Sequence, residues 1–267
     1  MEDVRKLKRY TVIARPDELS EHLKKQIEEE LDAHGYISDN FCPEVVFVVG
    51  GDGTFIFAVH HVMRTLGIAL KDVCFYGIHT GTLGFYTDYR DCDYREFMDT
   101  FLAGGLREKS YPLLQARFLD QKHHGINEIR IENAARTQVM DIYINGEYFE
   151  TFRGTGICVC TQWGSTAYNR SLGGAVMQEG LRFIEMTEIS GIHHNKFRSL
   201  DAPLILRDDT KLEFKSESFR GALLGCDSYV YPLDDCQSVS VYITNSASVR
   251  VLSGRDVSYF DRLKSLF

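Results

Sequence analysis

Three glycines and one aspartate share a four-residue turn directly after an apolar run. Residues 45–55 read VVFVVGGDGTF, which places Asp52 among the glycines. Glycines remove side chains where the backbone would meet a ligand, and their N–H groups ahead of a helix suit a phosphate. A structural alternative is that Asp52 or Thr54 caps a helix that begins near Phe55. Three glycines exceed what a cap requires, so the turn is a candidate phosphate site.

The acid in this turn indicates which chemistry the phosphate would undergo. A carboxylate beside a bound phosphate is repelled by it, unless it contacts the hydroxyl that attacks the phosphate or a magnesium ion. We therefore expect Asp52 to be catalytic and Gly51, Gly53 and Thr54 to contact phosphate or ATP. No Gly-Lys pair occurs in the chain. The turn thus predicts phosphoryl transfer without the lysine of a phosphate-binding loop.

Other catalytic and metal-binding signatures are missing or weak. The dinucleotide fingerprint, His-Glu-x-x-His and Gly-x-Ser-x-Gly do not occur. Histidines come in adjacent pairs at 60–61, 123–124 and 193–194. Side chains of adjacent residues point in different directions, so these pairs are poor metal sites, and we predict solvated surface histidines.

The elements around the turn alternate between strand and helix. Apolar β-rich runs predict strands at 8–14, 44–50 and 72–81. Helical spacing of apolar residues, with glycine stops, predicts helices at 17–35, 55–67 and 93–105. Such alternation is typical of an α/β domain with a mostly parallel sheet, here predicted over residues 1–105.

The remainder of the chain is β-rich. Asn145-Gly146 between alternating runs predicts a two-residue hairpin, and 238–252 resembles a further hairpin. Residues 259–267 are predicted to form a short amphipathic tail. The fold class is therefore an α/β N-terminal domain with a mostly parallel sheet, plus a mostly β C-terminal domain over residues 106–239.

Composition excludes several function classes. The net charge of −8 argues against non-specific nucleic-acid binding, which needs a basic face. Seven cysteines without a C-x-x-C pair favour a reduced, intracellular chain. No apolar run is long enough for a signal peptide or a membrane span. We expect a cytoplasmic protein with no membrane partner.

Four stretches in order resemble one kinase family. The GGDGT turn alone resembles NAD kinases, diacylglycerol and sphingosine kinases, and 6-phosphofructokinases. GIHTGTLGFYTD at 77–88, Asn127-Glu128, and GTGICVCTQWGSTAYNRSLGGAV at 154–176 resemble NAD kinases in particular. The resemblance covers nearly the whole chain, and the last block is highly specific. It implies an NAD kinase-like fold and a bacterial-type enzyme.

The resemblance implies a reaction and a role for the acid. NAD kinases transfer the γ-phosphate of ATP, or in some members polyphosphate, to the 2′-hydroxyl of the adenosine ribose of NAD, giving NADP. Asp52 would be the general base at that hydroxyl, with Gly53 beside it. A free carboxylate is a weak base for an alcohol, so positioning and Mg²⁺ should supply most of the catalysis. The metal would be held through the phosphates and not by protein ligands.

The resemblance also implies a set of residues that bind NAD. Asn127 and Glu128 would hydrogen-bond a ribose, and Tyr168 would border a base. The whole predicted set is Asp52, Gly53, Phe85, Asn127, Glu128, Arg153, Thr155, Trp163, Thr166, Ala167, Tyr168, Asn169, Ser171, Ser190, Ile192 and Asp227. Taken singly, Tyr168 and Phe85 would default to packed aromatics and Asn127-Glu128 to a surface turn.

Three residues depart from the family pattern. Thr155 stands where relatives have an aspartate that contacts the adenine amino group. Gln162 replaces a proline, and Trp163, the one tryptophan, replaces a small polar residue. We hypothesise that the chemistry is retained while dinucleotide affinity or selectivity is altered. A Trp163→Thr variant with an unchanged KM for NAD would contradict the part assigned to Trp163.

Alternatives stay open at this point. The chain could be a non-catalytic NADP(H)-binding sensor, for which Thr155 and Trp163 speak and Asp52 does not. It could be a lipid or sphingoid-base kinase with the same turn, although no membrane-docking stretch stands out. The family also implies a homodimer or homotetramer, and a tail of about 240–267 that packs back on the first domain.

Overall fold

The chain divides into two compact units. The computed structural model describes residues 7–67, 69–82, 84–193 and 199–266. One unit comprises residues 1–111 and 247–267, and the other comprises residues 112–246. Within the described ranges, no helix is long and apolar enough to cross a membrane.

The first unit begins with strands and helices in alternation. Its first strands are β1 (Arg9–Ala14), β2 (Ile37–Ser38), β3 (Val45–Val49), β4 (Cys74–His79) and β5 (Tyr89–Arg90). Its first helices are α1 (Glu18–Ala33), α2 (Asp52–His61) and α3 (Tyr94–Ala103). A π-helical turn, Val62–Leu66, continues α2. The predicted helix at 55–67 is confirmed, but it begins three residues earlier, at Asp52.

The chain then passes through the second unit and returns. The strands are β6 (Arg107–Phe118), β7 (Gln121–Gly125), β8 (Glu128–Glu132), β9 (Gln138–Ile144), β10 (Glu147–Thr161), β11 (Phe183–Gly191), β12 (Leu204–Arg207), β13 (Leu212–Lys215), β14 (Leu223–Cys226), β15 (Tyr229–Pro232) and β16 (Ser238–Ser253). The short helices are α4 (Tyr168–Ser171) and α5 (Tyr259–Lys264). Strands β6 and β16 run across the boundaries between the units.

The sheet of the first unit is parallel, as its sequence predicts. Strands lie in the order β2-β1-β3-β4, and β4 also pairs with β5 and with the end of β16. Every residue of β3 and β4 is buried, which explains why both read as continuous apolar runs. Helices cover the sheet, and aromatic rings fill the core between them: Tyr76 stacks on Phe97 with ring centroids 4.2 Å apart.

The second unit is built from antiparallel pairs. Strand β10 pairs with β8, β9 and β11, and further pairs join β8 to β14, β9 to β13 and β11 to β12. Its own core includes Met140, Phe152 and Phe214. The mostly β character predicted for this part of the chain is confirmed. The sequence patterns left β11 without a prediction.

One predicted hairpin is confirmed and the other is wrong. Asn145 and Gly146 have φ of 53° and 88° and join β9 to β10, as a two-residue hairpin requires. Residues 238–252 form the single strand β16 instead. Asn245 is not among the residues with positive φ, and no glycine follows it, so the polar stretch there continues the strand.

One smaller prediction also needs correction. His60 is buried in α2 and not solvated, because it lies on the face of the helix that packs inward. The tail helix α5 buries Arg262 beside half-buried Tyr259 and Leu263, and it leaves Phe260 exposed. His194 lies outside the described residues.

Candidate functional site

The glycine turn has a conformation that excludes a side chain at Gly50. Gly50 has a φ of 153°, and a Cβ there would lie 2.4 Å from Oγ1 of Thr54. Its N–H donates to the carbonyl of Ile78 at 3.1 Å, which fixes the end of β3 against β4. Gly51 is the N-cap residue of α2 and supplies no side-chain cap. The backbone at this helix N-terminus is thus open to a ligand.

Asp52 does not cap the helix. Its carboxylate accepts hydrogen bonds from the backbone N–H of Phe85, at 3.0 and 3.1 Å to its two oxygens, and of Tyr86 at 3.3 Å. A Cβ on Gly84 would lie 2.2 Å from Oδ1 of Asp52, so only glycine allows this approach. The capping alternative for Asp52 is therefore excluded: the loop that follows β4 holds the acid.

His79 lies beside this carboxylate, and the sequence analysis did not single it out. It is the last residue of β4, and its Nε2 would be 3.5 Å from a Cβ on Gly51. Burial lowers the pKa of His79, and the negative charge of Asp52 offsets part of that effect. Its Nδ1 is buried without a hydrogen bond. His79 is therefore a neutral neighbour of the acid at neutral pH.

A buried arginine holds the loop that carries the Asp52 contacts. Arg262 of α5 donates to the carbonyl of Gly84 at 2.7 Å, to the carbonyl of Thr87, and to Oδ1 of Asp88 at 2.5 Å. Asp88 also accepts from the Ser253 hydroxyl at 2.6 Å. Its partners are 165 and 174 residues away in sequence, so no local pattern could have found this arrangement.

Phe85 occupies an intermediate position at the same loop. Its backbone serves Asp52, while its ring meets Tyr259 edge-on with centroids 6.3 Å apart. The ring is half-buried. The aromatic face that remains is available to a ligand.

In the second unit, Asp227 organises the Asn-Glu pair. It has a φ of 51° in the turn between β14 and β15. Its carboxylate accepts from the backbone N–H groups of Ile126 at 2.8 Å, Asn127 at 2.8 Å and Glu128 at 3.2 Å. Asp227 thus shapes the backbone that presents Asn127 and Glu128, a role that the resemblance alone did not indicate.

Glu128 is a buried carboxyl with a strongly shifted pKa. Burial, and then the charge of Asp227, raise its pKa to about 7. Its Oε2 is buried without a hydrogen bond. A carboxyl that titrates near neutrality and keeps an unused oxygen is typical of a functional site. A hydroxyl-bearing ligand would satisfy that oxygen.

The block after β10 packs directly onto this pair. Thr161 donates its hydroxyl to the carbonyl of Ile126 at 2.7 Å and its N–H to the carbonyl of Asn127 at 2.8 Å. A Cβ on Gly164 would lie 2.0 Å from that Asn127 oxygen. The glycine of the Gly-Ser-Thr-Ala-Tyr block is therefore required for close packing, and Trp163 beside it is half-buried.

Tyr168 is the first residue of α4, and Arg130 lies against one side of its ring. Its hydroxyl donates to Oε1 of Glu132 at 3.2 Å, and the Arg130 guanidinium lies 4.9 Å from its ring centroid. The half-buried ring therefore has a fixed orientation. A planar base could stack on the part of the ring that Arg130 leaves open.

Asn169 and Ser171, both in the predicted set, use their polar groups internally. Asn169 is fully buried; its amide donates to Oε2 of Glu185 at 2.8 Å and accepts from Thr187 at 2.7 Å. Ser171 donates to the carbonyl of Tyr168 at 2.8 Å. Thr166 likewise donates to the carbonyl of Trp163 at 3.3 Å. Ala167 lies between Thr166 and Tyr168 in the chain. These side chains shape the loop.

The remaining predicted residues lie where β10 and β11 are paired. Gly154 pairs with Gly191, which brings Arg153 and Thr155 beside Ser190 and Ile192. The N–H of Ile192 donates to the carbonyl of Arg153 at 2.7 Å. Ser190 has a φ of 49° and is exposed, as is Ile192.

The predicted residues thus form groups within each unit. In the first, Gly51, Asp52, Gly53, Thr54 and Phe85 share the turn and its loop. In the second, Asn127, Glu128 and Asp227 adjoin the Trp163–Ser171 segment, and four residues lie at the pairing of β10 with β11. Four further residues support these groups without having been predicted: His79, Asp88, Thr161 and Arg262.

Comparisons with known proteins agree on one class. A family model described as ATP-NAD kinase C-terminal domain matches residues 126–253. An NAD kinase of Levilactobacillus brevis is 40% identical over 214 residues, covering 78% of this chain and 79% of that one. An NAD kinase of Enterococcus faecalis is 35% identical over 271 residues, covering 96% and 97%. These matches place the chain among the phosphotransferase enzymes.

The fold agrees as well. The crystal structure of yeast NADH kinase complexed with NADH has a TM-score of 0.78 and 18% identity, and covers 97% of this chain and 86% of that one. With the relatives above, the assignment is complete: the chain belongs to the NAD kinase family.

Proposed function

We propose that this chain phosphorylates the 2′-hydroxyl of the adenosine ribose of NAD, with ATP as donor and Asp52 as the base. The observation that supports this most is the position of Asp52. It begins the helix at a glycine turn, yet its carboxylate is turned away from the helix cap and held by the amides of Phe85 and Tyr86. In a member of this family, the backbone of such a turn can bind phosphate while the carboxylate accepts a hydrogen bond from the attacking hydroxyl.

The geometry leaves the carboxylate able to act. Two oxygens offer about four acceptor sites. The amides of Phe85 and Tyr86 fix the direction of the group without exhausting that capacity, so a ribose hydroxyl can donate to it. Such positioning matters because a carboxylate is a weak base for an alcohol and gains its effect from orientation.

We assign the phosphates to the backbone of the turn. The N–H groups of Gly51 and Gly53 lie at the N-terminus of α2, which favours anions. The N–H of Thr54 donates to the carbonyl of Gly51 at 2.9 Å, so Thr54 would contact phosphate through its hydroxyl. Gly53 is exposed, and a Cβ there would meet nothing within 4 Å, which leaves room for a ligand.

We propose Mg²⁺ as the divalent metal, and the phosphates of ATP would have to supply most of its oxygen ligands at this turn. The turn offers one carboxylate, Asp52, and Mg²⁺ prefers six oxygen ligands, commonly phosphate oxygens and water. The metal would neutralise developing charge on the transferred phosphate. The residues of this chain would bind and orient the two substrates around it.

For the dinucleotide, we propose that Asn127 and Glu128 bind a ribose and that Tyr168 borders a base. The unpartnered oxygen of Glu128 and the fixed ring of Tyr168 support these roles. Arg153, Thr155, Trp163, Ser190 and Ile192 would line the rest of the pocket. We propose positioning roles for Thr166, Ala167, Asn169, Ser171 and Asp227.

The experiment is NADP formation from NAD, ATP and Mg²⁺, detected with an NADP-specific dehydrogenase. We expect turnover by the wild type and a loss of roughly 10²- to 10⁴-fold in kcat for Asp52→Asn. Asp99→Asn, at an exposed position on α3, is the matched control and should be unchanged. Replacing ATP with polyphosphate identifies the donor.

A different outcome would favour the sensor. If the folded wild type binds NAD or NADP without forming product, the catalytic proposal fails. Thr155 and Trp163 would then be examined first, because they depart from the family pattern in the recognition block.

We further propose a homodimer or homotetramer and a cytoplasmic location. Closed symmetric assemblies are common among soluble chains. Ile205, Leu223 and Val230 are exposed apolar side chains on strands of the second unit, and an interface would cover them. Light scattering coupled to size-exclusion chromatography measures the assembly.

A further inference from the structure

Two carboxylates and one imidazole converge at the end of β11. Nε2 of His193 lies 3.2 Å from Oε2 of Glu188 and 3.0 Å from Oδ1 of Asp201. The three atoms all lie within 4.8 Å of one another. Neither the phosphoryl transfer nor the proposed NAD contacts use any of these side chains.

The cluster contains buried oxygens without hydrogen-bond partners. Oε2 of Glu188 is one of them, on a side chain that is only 12% exposed. Oε1 of the nearby Glu150 is another. Glu150 lies near enough to Glu188 and His193 for their charges to act on it. Buried acceptor oxygens without partners are costly, and a bound cation would satisfy them.

Among the described residues, His193 is the one basic side chain within 4 Å of Glu188 and Asp201. The other groups that fix the acids are backbone amides: Leu200 N–H donates to Oε2 of Glu150 at 2.7 Å, and Asp201 N–H donates to Oε1 of Glu188 at 3.3 Å. These amides orient the carboxylates but carry no formal charge.

Local backbone makes room for the convergence. A Cβ on Gly191 would lie 2.1 Å from Oε2 of Glu188 and 2.5 Å from Nε2 of His193. Glycine is therefore needed where the two ligand atoms meet. The other ring nitrogen, Nδ1, is 3.1 Å from the Ser199 hydroxyl. Such a contact fixes the ring orientation, and a serine hydroxyl can accept from Nδ1 in the tautomer whose Nε2 binds a metal.

We propose that Glu188, His193 and Asp201 form a binding site for a divalent transition-metal cation of the Zn²⁺ type. One imidazole nitrogen and two carboxylate oxygens are a ligand set that Zn²⁺ accepts, with water in the fourth position. Tetrahedral Zn²⁺ separates such ligands by roughly 3.4 Å. The observed separations of 3.0 and 3.2 Å need only a small opening to admit the ion.

The site would brace a segment next to the proposed dinucleotide pocket. Ser190 and Ile192 lie between Glu188 and His193 in the chain, and Asp201 precedes β12. A bound cation ties the end of β11 to the chain ahead of β12. Binding of the cation needs only these side chains and is independent of the kinase reaction.

The test is direct metal binding by the full chain. Exposed Cys42 and Cys92 would also bind Zn²⁺, so both are replaced by serine in every protein used. The protein is stripped with a chelator and titrated with Zn²⁺ against a chromophoric competitor. We expect one equivalent per chain, and we expect Mg²⁺ in excess to leave it bound.

Variants separate the site from adventitious binding. His193→Ala and Asp201→Asn should each weaken Zn²⁺ by more than about tenfold, the scale on which even outer partners of a ligand act. His22→Ala, an exposed histidine on α1, should change nothing. Asp201 is 71% exposed at its side chain, so that variant will fold even if the His193 change is disruptive.

Thermal melts give a second readout. Zn²⁺ should raise the Tm of the parent protein and leave that of Asp201→Asn unchanged, because only an ion bound to the folded state stabilises it. Absence of a stoichiometric site, or equal affinity in parent and variants, overturns the proposal. The contacts of His193 would then serve only to hold the two acids in place.

Discussion

At the scale of single residues, the position of Asp52 depends on a glycine 32 positions later. Gly84 lies where a Cβ would come within 2.2 Å of Oδ1 of Asp52 and 2.7 Å of the His79 ring. The acid and its loop therefore fit only if this position has no side chain. The requirement for glycine at position 84 is therefore steric, whereas the requirement for an acid at position 52 is chemical.

We expect Gly84→Ala to lower kcat for NADP formation by at least about tenfold, because the added methyl displaces the carboxylate that must be oriented. Gly105→Ala is the matched control: its Cβ would meet atoms no closer than 3.9 Å. Steady-state kinetics of both variants measure the effect. Equal kcat in the two would contradict the steric argument.

Glu128 gives a residue-scale prediction about pH. Its pKa is raised from 4.5 to about 7 by burial and then by Asp227. The folded state therefore keeps a proton that the unfolded state releases, so its contribution to stability is lost as pH rises from about 4.5 to about 7.

We expect Glu128→Gln to remove this dependence. The free energy of unfolding of the wild type, relative to the variant, should fall across that window and be level above it. Urea denaturation at pH 5, 6, 7 and 8 measures the difference. Glu217→Gln, at an exposed position, is the control. A relative stability that rises with pH would show that the sign is wrong.

At the scale of elements, α5 acts through one buried cation. The Arg262 guanidinium satisfies the carbonyls of Gly84 and Thr87 and pairs with Asp88, and side chains of the pair are 5% and 8% exposed. Removing one partner of a buried pair leaves the other charge unpaired, which typically costs about 3–5 kcal/mol.

We therefore expect Arg262→Met to destabilise the protein by about that amount and to lower kcat, since the loop it holds carries the Asp52 contacts. Arg95→Met is the control, because its side chain is 74% exposed and its ion pair with Glu30 is worth little. Denaturation and kinetics are measured on both. A stable Arg262→Met variant with lowered kcat would assign the residue to positioning alone.

Elements also show what the sequence can and cannot predict. Strands β3 and β4 were predictable because burial on both faces leaves an unbroken apolar run, and the hairpin at Asn145-Gly146 because its turn needs two positive φ angles. Strand β16 is not predictable in this way, because the short polar stretch within it resembles a turn.

The candidate site also contains residues that the sequence predicts and contacts that it does not predict. Asp52 and Asn127-Glu128 belong to motifs that are contiguous in sequence. The amides that hold Asp52 are 33 and 34 residues away, and the contacts of Asp227 with residues 126–128 span 99 to 101 residues. Hydrogen-bond partners at such separations are brought together by the fold, so the local spacing of residues does not predict them.

At the scale of the whole molecule, each unit has its own hydrophobic core. Phe97 is fully buried in the core of the first, and Phe214 in that of the second. Trp163, the one tryptophan, belongs to the second unit. Its fluorescence therefore reports on that unit, while circular dichroism reports on both.

We expect Phe214→Ala to lower the midpoint seen by Trp163 fluorescence, because truncating a buried phenylalanine costs about 3–5 kcal/mol. Phe97→Ala, the matched variant, should lower the midpoint seen by circular dichroism more than that seen by fluorescence. Thermal melts with both probes measure this. Identical shifts in both probes for both variants would mean that the units unfold as one.

The contacts between Arg262 and the loop that holds Asp52 also set an order of events during synthesis. Gly84 and the Arg262 guanidinium that binds its carbonyl are 178 residues apart, and the whole second unit is translated between them. That unit is a continuous stretch and can fold as it leaves the ribosome. The glycine turn is translated early, but the loop that holds Asp52 lacks its Arg262 contacts until synthesis is nearly finished, so the second unit can fold before those contacts form.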